Sequence, residues 1–101
     1  MKHFIVEINY KIPAEQMADI VAEHRQFLQT GYDQGLLLCS GPRVPRTGGM
    51  VVARAASLQE IQQFFEGDPY HQHDVAEHHF VEFEPVKRQE FLEAWVAGKP
   101  V

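Results

Sequence analysis

Apolar and polar positions alternate along the first ten residues. Phe4, Val6, Ile8 and Tyr10 fall on one side; His3, Ile5, Glu7 and Asn9 fall on the other. A period of two predicts a half-buried strand over residues 3–10. The period then changes. Met17, Ile20, Val21, His24, Phe27 and Leu28 recur at spacings of three and four, the core stripe of a helix. Pro13 suits a first helical turn, where its missing N–H would lack a partner anyway. Gly31 and Gly35 are expected to bracket the end, so the helix is predicted over about residues 13–33.

Leu36 to Ser40 is a short apolar run and predicts a second strand. The segment Gly41 to Gly49 is dense in turn residues. Met50 to Arg54 predicts a third strand, paired with the second as a hairpin with a long tip. Ser57 followed by Glu60 three residues later is a capping box. Leu58, Ile61, Phe64 and Phe65 give the second helix its apolar face, and Gly67 with Pro69 ends it. Residues 70–78 read as polar and irregular. His79 to Val86 predicts the fourth strand, and residues 88–97 a last short helix carrying Phe91, Leu92 and Trp95.

The order β-α-β-β-α-β with a helical tail predicts an α+β, ferredoxin-like fold, two helices on one face of a four-stranded sheet. With 101 residues it is expected to be a single domain, its core at about 3–86. The other sheet face would be uncovered and partly apolar. Such a face predicts a homodimer, sheet against sheet, with Trp95 reaching the partner.

Composition narrows the function classes. Apolar residues are 45% and charged residues 23%, an ordinary globular balance. The net charge of −5 argues against nucleic acid, which needs a basic face. No run approaches the ~20 apolar residues of a membrane span, so no membrane partner is expected. The start leads directly into a strand pattern, unlike a signal peptide. The single cysteine, Cys39, allows no internal disulfide and fits a reducing compartment. A cytoplasmic location is expected.

His24 falls on the apolar stripe of the first helix. One reading is a core histidine satisfied by a backbone carbonyl; the other is a general base facing a cleft. Asp68 lies between Gly67 and Pro69, at the end of the second helix, where a dipole favours cations rather than a carboxylate. It is either a turn aspartate bonding its own backbone or the group that orients His24. In the loop, Arg43, Arg46, Gly48 and Gly49 form a candidate carboxylate or enolate clamp, with Ser40 beside it as a ligand contact. His71, His73, His78 and His79, with Asp74 and Glu77, are metal-ligand types at no recognisable spacing, so a solvated loop is expected and no metal. Cys39, in its run of leucines, reads as a buried small hydrophobe.

Glu23 to Leu28, Gly35 to Pro42, Gly48-Gly49 and Gly67-Asp68-Pro69-Tyr70, in this order and spacing, resemble the YciI-like family of YCII-related domains over roughly residues 3–86. The resemblance implies a ferredoxin-like subunit of a dimeric α/β barrel. It implies a His-Asp pair at His24 and Asp68, and one branch of the family is similar to a dehydrochlorinase acting on chlorinated hydroxyquinols. The chain departs from the family pattern after Tyr70, where His71-Gln72-His73-Asp74 stands.

Together these readings point to a cofactor-free acid–base enzyme of lyase, dehydrochlorinase or isomerase type. The expected catalytic residues are His24 and Asp68. Ser40, Arg43, Gly49 and Tyr70 are expected to bind a small polar or aromatic substrate. The alternatives are a non-catalytic ligand-binding or regulatory module and a cofactor-free monooxygenase. No flavin or nicotinamide fingerprint is present.

Overall fold

The N-terminal alternation builds an inner strand of the sheet. The computed structural model describes all 101 residues. Strand β1 (Lys2–Tyr10) pairs antiparallel with β3 (Gly48–Ala55) on one side and with β4 (Ala76–Phe83) on the other; β2 (Leu37–Pro42) adds outside β3. The order β2-β3-β1-β4 is that of the ferredoxin-like α+β fold. Phe4, Val6 and Ile8 of β1 and Val51, Ala53 and Ala55 of β3 are buried beneath the helices.

Those helices are α1 (Ala18–Asp33) and α2 (Leu58–Phe65). A 3-10 turn, Ala14–Met17, leads into α1 and buries Met17. Gly31 does not end α1. It lies inside the helix, where an added Cβ would come within 2.6 Å of the Phe64 ring, so its role is close packing. Gly35, at φ +75°, is the residue that turns the chain out. On α2, Ser57 Oγ accepts the Glu60 N–H at 3.1 Å. Phe27 of α1 stacks on Phe64 of α2 with ring centres 4.6 Å apart, which sets the helices side by side.

Three segments differ from the sequence reading. Residues 70–78 are not irregular: Pro69–Gln72 forms a short helix, α3, and β4 starts at Ala76. The fourth strand is therefore Ala76–Phe83 rather than His79 to Val86. It pairs along β1 from Tyr10↔Ala76 to His3↔Phe83, and Pro85, with no N–H to give, follows its end. The β2–β3 hairpin has a shorter tip than expected, since Pro42 pairs with Gly49.

The C-terminal segment is a 3-10 turn, Glu90–Leu92, and a four-residue helix, α4 (Glu93–Val96). Trp95 does not reach outward. It is 3% exposed, packed on the His3 ring and under Arg54, whose Nη1 donates to the Trp95 carbonyl at 2.6 Å. This covers one end of the second sheet face. The rest stays open, with Val81 and Phe83 both 39% exposed. No helix is long and apolar enough to cross a membrane.

Candidate functional site

The chain leaves α2 through Gly67 and immediately starts α3 with Asp68 as its N-cap. The Asp68 backbone is extended (φ −65°, ψ 125°), Pro69 takes the first helical position, and Oδ1 accepts the Tyr70 N–H at 2.9 Å. Asp68 therefore caps a helix of its own rather than meeting the negative end of the α2 dipole as that helix's terminus. The carboxylate sits at the start of the next helix, where negative charge is favoured.

Asp68 is completely buried. Its Oδ1 also lies 2.8 Å from His24 Nδ1, and its Oδ2 lies 2.9 Å from His78 Nε2. Burial alone pushes the carboxyl pKa up. The hydrogen bonds from His24 and His78, the charge interaction with His24 and the Tyr70 N–H outweigh it, and the group is held below the ordinary carboxylate range. An ionised carboxylate only accepts hydrogen bonds. The network thus assigns a proton to His24 Nδ1 and another to His78 Nε2.

With Nδ1 committed, neutral His24 carries its lone pair on Nε2. That nitrogen has no protein partner and is not sealed from solvent. The ring lines a cleft of about 250 Å³ between α1 and the sheet. Tyr70 stacks flat on it, centres 3.8 Å apart and planes 6° from parallel, and meets Tyr10 edge-on. Burial, then Tyr10 nearby, pushes the Tyr70 hydroxyl well above its usual range, so it stays protonated.

A bulge in β2 brings Ser40 into the same cleft. Leu37 pairs with Ala53 but Cys39 with Val52, so one residue is extra and the alternation of faces reverses beyond it. Ser40 now sits on the helix side, its Oγ 2.7 Å from the Tyr32 hydroxyl. Cys39 is turned to the other side and is exposed, not buried as its leucine neighbours suggested.

Of the residues singled out in the sequence, His24, Ser40, Gly49 and Tyr70 line the cleft, and Asp68 lies behind His24. Arg43 does not line it. Its guanidinium turns into its own hairpin tip, donating to the Thr47 carbonyl at 3.2 Å. Arg46 lines the cleft instead, with Arg25 from α1, which the sequence reading passed over. Arg25 follows His24 directly, a spacing that could have flagged it.

The histidine cluster is dispersed. His78 belongs to Asp68, whereas the neighbouring His79 is exposed. His73 Nε2 is 4.0 Å from Glu23, and no group of three or more His, Cys, Asp or Glu side chains is arranged to hold a metal ion. His78 also borders a second cleft, of about 550 Å³, with Lys11, His71 and Asp74.

A family model for the YCII-related domain matches residues 1–84. No curated protein matches the chain. Among solved structures, the chain is similar to 5-chloro-2-hydroxyhydroquinone dehydrochlorinase from Burkholderia phenoliruptrix AC1100, in complex with 2,5-dihydroxybenzoquinone. The TM-score is 0.65 and the identity 17%, over 87% of this chain and 93% of that one. At this identity the likeness is one of fold.

Proposed function

Because the chain belongs to the YCII-related domain family, we propose that it is a small acid–base enzyme of the lyase, dehydrochlorinase or isomerase type. His24 is its base and Asp68 its positioning residue. The single observation behind this reading is the 2.8 Å bond between His24 Nδ1 and Asp68 Oδ1, with Nε2 left open towards the cleft. A histidine so held takes a proton at Nε2 while the carboxylate stabilises the imidazolium that forms. In an elimination, the electron pair of the broken bond to hydrogen becomes a new π bond. The leaving group departs with its own pair, and the proton remains on Nε2 until solvent removes it. The step needs no cofactor.

The structural neighbour's name supplies the first substrates to try, chlorinated hydroxyhydroquinones; that protein binds dihydroxybenzoquinone, a small planar ring. Ser40, Gly49 and Tyr70 are proposed to contact the substrate. Chloride release from 5-chloro-2-hydroxyhydroquinone and related hydroquinols is the test, on the protein and on His24→Gln. The reading expects turnover that falls at least about a hundredfold in the variant. Equal rates in the two proteins would overturn it. We further propose a cytoplasmic homodimer joined through the open sheet face.

A further inference from the structure

We propose that the cleft is built for an anionic substrate, a small planar organic acid, and that Arg25 and Arg46 bind its carboxylate. This deepens the reading of the cleft as an active site and rests on it.

The chain has 14 Asp and Glu against 9 Lys and Arg, yet the cleft lining contains two arginines and no carboxylate. The five arginines divide cleanly. Arg43 bonds to Thr47, Arg54 to the Gly35 and Trp95 carbonyls, and Arg88 to Pro85 and Glu93. Arg25 and Arg46 make no hydrogen bond and no ion pair within the protein. The only two unengaged guanidinium groups are thus the two at the cleft.

They come from different elements, Arg25 from α1 and Arg46 from the β2–β3 tip. The Arg25 charge acts on the Tyr70 hydroxyl, favouring its ionised form against burial. Tyr70 in turn lies flat against His24. The same cleft thus holds two cations and the ring that carries the free Nε2. A guanidinium fork presents paired N–H donors that match a carboxylate. An acid gripped there is held with the rest of its frame against Nε2. A cleft of about 250 Å³ suits a small acid better than a large one.

The experiment titrates benzoate, and separately benzamide, into the full chain by isothermal calorimetry and by NMR shifts of His24. Benzoate is expected to bind at least about tenfold more tightly than benzamide. Arg25→Gln and Arg46→Gln should each weaken benzoate about tenfold and leave benzamide unchanged, with unfolding curves showing that both variants fold. Added salt should weaken benzoate alone. Equal binding of the two probes, no benzoate binding, or unchanged affinity in both variants would overturn the clamp. His24→Gln should keep benzoate binding. If it does so and no acid or hydroquinol is ever turned over, the proton-transfer reading fails while the clamp stands.

Discussion

His78 closes the far side of Asp68: its Nε2 lies 2.9 Å from Oδ2, while His24 holds Oδ1 at 2.8 Å. The carboxylate is gripped at both oxygens, so its plane, and with it the orientation of His24, is fixed from behind. This is the outer support that a positioned imidazole requires.

Replacing His78 separates this support from the chemistry. His78→Leu leaves Oδ2 buried without a donor, which costs roughly 1–3 kcal/mol of stability. The His24 ring should also lose its fixed orientation, and turnover should fall, because Asp68 is then free to rotate. His78→Gln retains a donor and should recover most of both effects. Urea unfolding and the rate of turnover read them; unchanged turnover in His78→Leu would mean that His78 merely packs.

The pKa of Asp68 makes a second prediction, with a definite sign. The folded value lies below the ordinary 3.8. The ionised group therefore contributes stability above about pH 4, and this is lost as pH falls through the lower folded value. Asp68→Asn should be less stable than the wild type at pH 7, and the gap should narrow as pH falls below 4. A gap of constant size from pH 7 to pH 2, measured by urea unfolding, would show that the carboxylate charge is not what matters there.

Ser57→Ala provides a contrast. It removes the Oγ that accepts the Glu60 N–H, and should cost about 1 kcal/mol of stability. The site would be untouched, so turnover per folded molecule and benzoate affinity should both stay at wild-type values. Unfolding curves and the calorimetric titration check the two halves of this expectation.

The stability devices were more legible than the site, for physical reasons. Alternation in β1, the α1 stripe and the Ser57–Glu60 box are periodic or local signals, and each appears where the sequence put it. His24 was visible because a polar ring interrupts an apolar stripe. His78 was hidden because α3 has only four residues and no period of its own, so β4 was started too late and His78 fell into a loop. The Asp-Pro pair that opens α3 was read as the end of α2. Cys39 is exposed rather than buried because a bulge breaks the count of two, and nothing in Leu36 to Ser40 marks where the extra residue goes. Arg43 and Arg46 lie in a turn, where side-chain direction follows no repeat. Of that pair, Arg46 lines the cleft while Arg43 turns back to Thr47.

The open sheet face yields the last prediction. Trp95 covers only the end around His3 and Arg54, leaving Val81, which pairs with Ile5, and Phe83, at the His3 end, each more than a third exposed. A contiguous apolar surface on a strand array is costly in water, and a second copy of the same face removes it by symmetry. Sedimentation equilibrium should return twice the chain mass for the protein. Val81→Glu places a charge at the centre of the contact and should shift the equilibrium to the single-chain mass. The His24–Asp68 bond lies across the sheet among the helices, so this variant should keep its fold by circular dichroism. A protein that sediments as a single chain at high micromolar concentration would leave that face without the proposed occupant, and a Val81→Glu variant that still sediments as a pair would move the contact elsewhere.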